Sequence, residues 1–139
     1  MIQTMYKHYS MVPDEAWRWK NFAPTELACR CCGELYVGCE SMDMLQRARD
    51  EWGRPLVIYS GHRCLKHNTE VGGAANSQHL KIAFDIAIGR YDRYDLLACL
   101  KRAGFSTFGY YETFIHTDIR PGKWWFGPGA RESWKGLVF

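Results

Sequence analysis

Four residues carry most of the chemistry this sequence offers: His79, Asp85, His116 and Asp118. Asp85 sits inside an apolar run, Ile82-Ala83-Phe84-Asp85-Ile86-Ala87-Ile88. If the run is a strand, its side chains alternate between two faces. Ile82, Phe84, Ile86 and Ile88 then form a core face, while Ala83, Asp85 and Ala87 form a face of small residues around one carboxylate. A buried carboxylate without a partner is costly, so Asp85 needs one. The run 114–120 alternates in the same way, with His116, Asp118 and Arg120 on one face and Ile115, Thr117 and Ile119 on the other. Paired in one sheet, the two segments bring Asp85 and His116 into one crevice, and His79 reaches over it from the preceding loop. Two imidazoles and one carboxylate are a recurring ligand set for catalytic zinc, which takes three protein ligands and keeps a fourth position for water. Such a metal lowers the pKa of the water and polarises a carbonyl. Any one of these residues alone reads more naturally as a surface or hydrogen-bonded group; agreement of face and chain order gives the set its weight.

The elements that must position this set are legible in outline. Pro24 and Glu26 suggest a short helix over 24–29. Ser41 reads as an N-cap and Gly53 as a stop, with Leu45, Ala48 and Trp52 at helical spacing, which predicts a helix over 41–52. Residues 55–61 read as a strand between a proline and a glycine. One or two helical turns fit 64–73. Asp92 and Asp95 open a helix over 92–103 carried by Leu96, Leu97 and Leu100, with Gly104 after it. Strands follow at 106–111 and 113–119. The arrangement predicts an α+β domain, a small and mostly antiparallel sheet with helices packed on it. Residues 1–21 read as an N-terminal arm, 22–127 as the domain, and 128–139 as a tail packed on it.

Composition narrows the function classes. The chain has 139 residues and a formal net charge of +3. That size suits one domain with a real core, and the charge is too mild to indicate a nucleic-acid partner. No apolar run reaches the roughly 18 residues of a membrane span. The N-terminus lacks the apolar segment of a signal peptide, so synthesis in a cytoplasm is expected. In a reducing compartment the six cysteines read as thiols or metal ligands rather than disulfides.

The segments "SGHRC", "HN", "VGGAANSQHL", "AFDIAI", "GFSTFGYY" and "FIHTDIR" occur in this order. Together they resemble the zinc D-Ala-D-Ala carboxypeptidases of peptidase family M15, above all their small phage- and prophage-encoded members, from about Trp19 to about Trp125. The resemblance implies the Hedgehog/DD-peptidase fold. It implies one zinc on His79, Asp85 and His116. It assigns Arg63 to orienting the substrate and stabilising the oxyanion, which suits an always-charged bidentate donor, and Ser77 to hydrogen bonding the substrate. The implied substrate is the stem peptide of peptidoglycan, cut by a carboxypeptidase or by an endolysin-type endopeptidase. A chain without a signal peptide would then meet the wall after holin-type release or as part of a phage particle. Two departures stand out. The family's Ser-x-His-x-x-Gly-x-Ala-x-Asp is one residue shorter here, "SQHLKIAFD", and lacks the glycine. The family's acidic general base falls at Thr113, which leaves Glu112 and Asp118 as candidates. Those departures favour an alternative: a non-catalytic wall-binding or virion module on the same fold.

The remaining residues are less specific. Cys29, Cys31, Cys32, Cys39 and Cys64 could hold a second, structural zinc, although C-x-C-C-x6-C matches no standard ribbon and small buried thiols are common. Cys99 reads as core, His62 as packing, and His67 with Asn68 as a turn cap. Trp124, Trp125 and Trp134 read as cover for a sheet edge more than as a sugar-stacking platform.

Overall fold

The computed structural model describes residues 3–137; the ends of the expected arm and tail, residues 1–2 and 138–139, lie outside the described residues. The elements in chain order are β1 (Gln3–Tyr6), α1 (Pro24–Leu27), β2 (Leu35–Gly38), α2 (Cys39–Trp52), β3 (Ile58–Ser60), α3 (Leu65–Glu70), β4 (Phe84–Ala87), α4 (Arg93–Ala103), β5 (Thr107–Tyr110), β6 (Phe114–Asp118), β7 (Trp124–Phe126) and α5 (Ala130–Ser133). Five strands form the main sheet in the order β3-β4-β6-β5-β7. Every pairing in it is antiparallel except β5 with β7. The fold is α+β, with α2 and α4 packed on each other.

Alternation builds this core. Phe84 and Ile86 of β4 and Ile115 of β6 are wholly buried against Leu45 and Ala48 of α2 and Leu100 of α4. At about 25 cal/mol per Å² of apolar surface removed from water, such side chains contribute roughly 1.5–3 kcal/mol each. Asp92 caps α4, its carboxylate accepting from the Tyr94 and Asp95 backbone N–H groups at 2.9 and 3.0 Å. The arm is tied to α2 by the Trp19 indole N–H, which donates to Asp43 at 2.8 Å.

The structure departs from the sequence reading at several elements. Gly38, not Ser41, is the N-cap of α2, and Ser41 is buried within the helix. The reason is that β2 runs straight into α2, leaving no loop for a polar cap. The expected strand 55–61 contracts to β3, because its pairing with β4 shifts register between Ile58 and Ser60. The arm contributes β1, which pairs with β2 in a separate two-stranded sheet. The segment after Arg120, for which the sequence predicts no element, contributes one: Trp124–Phe126 forms the parallel edge strand β7.

That last strand explains Gly109 of β5. A Cβ at this position would lie 2.6 Å from the Trp125 ring. The absent side chain lets Trp125 settle over the sheet beside His116, with ring centroids 4.9 Å apart. Gly109→Ala is therefore expected to lower stability by about 1–3 kcal/mol, the usual range for overpacking. Denaturant unfolding checks this against Leu65→Ala, a change at an exposed side chain, which should leave stability within about 0.5 kcal/mol of the parent.

Candidate metal centre

The pairing of β4 with β6 sets Asp85 directly opposite His116. His79 lies on a 3₁₀ turn, Gln78–Leu80, just ahead of β4. Its Nε2 is 3.2 Å from Asp85 Oδ1, and His116 Nδ1 is 3.0 Å from the same oxygen. All three side chains are buried, and their ligand atoms lie within 4.8 Å of one another.

What lies behind the rings decides what they present at the centre. His79 Nδ1–H donates to the Gly61 carbonyl at 2.6 Å. His116 Nε2–H donates to Asp118 Oδ2 at 2.7 Å. Both outer partners are acceptors, so each neutral ring commits its single proton outward. Two imidazole lone pairs are left facing a carboxylate oxygen, which is an arrangement that needs a cation. A carbonyl or carboxylate behind a ligating histidine is the usual support of a metal site. Burial opposes charging His116, but hydrogen bonds to Asp118 and Asp85 raise its pKa above the ordinary value. Burial likewise opposes ionisation of Asp85, yet His116 and His79 hold its carboxyl well below the usual carboxylate range. The donor set therefore fits a small divalent ion such as zinc.

A family model described as Peptidase M15 matches residues 20–118, a span that contains all three of these side chains. The chain belongs to the peptidase M15 family. No curated protein matches it. Membership makes the molecule a peptidase by family, and no helix among the described residues is long and apolar enough to cross a membrane.

The remaining expected site residues of the M15 domain fall in different places. Arg63 stands at the rim of the centre, its Nη2 3.5 Å from Asp85 Oδ2. Asn68 holds it through Nη1 at 3.1 Å and Ser60 through Nε at 3.3 Å. Ser77 caps the 3₁₀ turn, its hydroxyl accepting from the His79 N–H at 3.1 Å. Asp118 is fully buried. Besides His116 it accepts from the Arg120 backbone N–H and Nε, both at 2.9 Å, and from Arg120 Nη2 at 2.8 Å. Burial opposes its ionisation, but Arg120 and His116 hold its carboxyl well below the usual carboxylate range. Asp118 thus sits behind the His116 ring, on the far side from the centre. Glu112 is exposed, and its Oε1 lies 2.5 Å from where a Cβ on Gly129 would be. It is not among the residues around the centre.

A cavity of about 440 Å³ opens onto these three side chains, His79, Asp85 and His116. Arg63, Ser77, Tyr111, Phe114, Arg120 and Trp125 are among its walls, and Asp85 is its only carboxylate among the described residues. Sequence reading did not place Tyr111 or Trp125 there. Trp125 arrives through β7, whose parallel pairing leaves no periodic signal, and its indole N–H donates to the Tyr111 hydroxyl at 3.0 Å. Asn68 is buried, and its side chain joins Arg63 to the Ala74 carbonyl at 2.9 Å. The "HN" and "VGGA" segments are therefore one support for the arginine.

Replacing Asp118 with Asn removes the charge that orients His116. Metal affinity is expected to fall by about 10–100-fold, as for other outer partners of ligating histidines. A competition titration with a chromophoric chelator measures it, with circular dichroism as the check on folding.

Proposed function

We propose that the chain is a zinc-dependent peptidase that cleaves peptidoglycan stem peptides. The observation that carries this reading is the convergence of two outwardly protonated imidazoles and Asp85 at the floor of an open cavity. His79, Asp85 and His116 would hold the ion. When bound, zinc supplies the Lewis acidity that polarises a scissile carbonyl and makes water nucleophilic near neutral pH.

The chain's own groups do the rest. Arg63 is held by Ser60 and Asn68, so its guanidinium meets a carbonyl oxygen gaining negative charge without reorganising. Arg120 neutralises Asp118 and also borders the cavity, where it would serve as a second guanidinium for a peptide carboxylate. Phe114 and Trp125 offer apolar walls to small side chains such as those of alanine. The Tyr111 hydroxyl, which accepts from Trp125, keeps its own proton to donate to the substrate. The M15 resemblance of "SGHRC" and "VGGAANSQHL" directs the reading to the cell wall, met after release or from a virion. Which end of the stem peptide is cut follows from the product: free D-alanine for a carboxypeptidase, new amino termini for an endopeptidase.

A second reading has an observation of its own. Among the described residues, the cavity holds no carboxylate besides Asp85 that could take a proton from water. A wall-binding module that keeps the metal but does not turn over would look the same.

Purified wall and a synthetic pentapeptide ending in D-Ala-D-Ala separate the two. The zinc-loaded chain is expected to cleave, chelation to stop it, zinc to restore it, and His79→Ala to abolish it. Binding to wall without any cleavage selects the module, and cleavage that survives both chelation and His79→Ala sinks the metal mechanism. Arg63→Ala should lower kcat by about 10²–10³-fold, the usual loss for one oxyanion donor, with zinc content unchanged. Arg63→Lys should recover only part, since the fixed bidentate fork is lost.

A further inference from the structure

A second group of ligand-type side chains lies outside the cavity that holds the histidines. Cys29, Cys31, Cys32 and Cys64 have their sulfurs within 4.8 Å of one another, and all four are free thiols. Cys29 Sγ and Cys31 Sγ are 3.6 Å apart, and Cys31 Sγ and Cys64 Sγ 3.5 Å. A tetrahedron with zinc–sulfur bonds of roughly 2.3 Å has edges of roughly 3.8 Å, so the spacing is that of a thiolate cage. Cys39, the fifth cysteine of the expected set, lies on α2 and is not a member.

We infer that Cys29, Cys31, Cys32 and Cys64 form a structural metal site that takes one zinc ion through four sulfurs. Burial does not explain the group, because Cys31 and Cys32 are exposed and Cys64 is half-buried; thiols that merely fill a core sit inside it. The chain between Cys29 and Gly33 folds into a tight knuckle, with Gly33 N–H donating to the Cys29 carbonyl at 2.9 Å and Cys29 N–H to the Glu34 carbonyl at 2.7 Å. Cys64 is the N-cap of α3, and the His67 backbone N–H donates to its sulfur at 3.4 Å. Such N–H groups stabilise thiolates. Burial opposes ionisation of Cys29, but the backbone N–H groups of Cys64 and Cys31 draw its thiol down to about 7. The hydrogen bond with Cys64, followed by desolvation, pushes Cys31 up to about 12. Four sulfurs this close repel one another as thiolates, and a divalent cation among them relieves that repulsion.

The ion would join two segments, and the second of them, through Arg63, also borders the cavity of the histidines. Cys29–Cys32 follow α1, and Cys64 follows Gly61, which supports His79, and Arg63. These segments already touch: His62 N–H donates to the Leu27 carbonyl at 2.8 Å, and a Cβ on Gly61 would lie 2.6 Å from that oxygen. A zinc there adds a cross-link to this contact at the base of the arginine.

The test removes the other centre first, so that it stands apart from the catalytic reading. The full-length His79→Ala/His116→Ala chain, purified from zinc-supplied cells, is expected to keep one zinc per chain. Adding Cys31→Ser and Cys64→Ser should remove it. Cobalt in place of zinc should give a thiolate-to-metal absorption band in the former chain and none in the latter. Should the serine variants fail to fold, the unmodified chain decides: zinc should slow alkylation of these cysteines by at least about tenfold, because a metal-bound thiolate is a poorer nucleophile. A His79→Ala/His116→Ala chain that emerges without zinc and gives no thiolate band, or thiols alkylated equally fast with and without zinc, overturns the inference.

Discussion

The pairing of Asp85 with His116 across β4 and β6 is the contact on which the rest of the site depends. Strand periodicity is two, so a slip of one residue would send Asp85 into the core and Ile86 into the cavity. Phe84, Ile86 and Ile115, all wholly buried, forbid that slip. The hydrophobic core therefore sets the position of the ligands: apolar burial on one face of the sheet fixes polar geometry on the other. The opposite neighbour of His116 is Gly109, and its missing side chain admits Trp125 to the same face.

Charge around the cavity is set by two ion pairs. Asp85 faces Arg63 and Asp118 faces Arg120, so two carboxylates meet two guanidinia. The balance before any metal is near neutral. A divalent ion on the three ligands would leave the cavity positive, in low-dielectric walls that strengthen the field. The same pairing accounts for Asp118 as a positioning group. A carboxylate that already accepts four hydrogen bonds, from His116 and three Arg120 donors, has little basicity left for a water. Its hydrogen bond from His116 Nε2–H holds that ring in one tautomer and orientation.

Much of this was legible in the sequence because it follows from period two. The faces of 82–88 and 114–120 could be read directly, and the helices α2 and α4 followed from leucine spacing. Strands whose evidence is a partner rather than a pattern could not be read. β1 and β2 are four residues each and hold together by pairing with each other; β7 is three residues with tryptophans at both faces. The cysteine cluster was half legible. Cys29, Cys31 and Cys32 are neighbours in the chain, but the choice of Cys64 over Cys39 depends on how α1 and the segment after β3 pack. For Asp118, alternation showed the shared face with His116 and could not show the order along it, ring first and carboxylate behind.

The shortened turn between His79 and Asp85 shows how a local rule can be replaced by a tertiary one. A glycine in this stretch would let the backbone reverse unaided. Here the reversal is held from outside. His62, wholly buried, places its Nδ1 2.5 Å from the Lys81 carbonyl and its Nε2 2.8 Å from Glu34. Arg63 N–H donates to the His79 carbonyl at 2.6 Å, so the turn is gripped on either side of Leu80. Both grips come from consecutive residues of one segment, and that segment also supplies the Gly61 carbonyl behind the His79 ring. The position of His79 therefore does not depend on the length of its own loop. It depends on residues 61–63, which touch the turn through one ring, one backbone N–H and one carbonyl, and a residue could be lost from the loop without moving the ligand off Asp85.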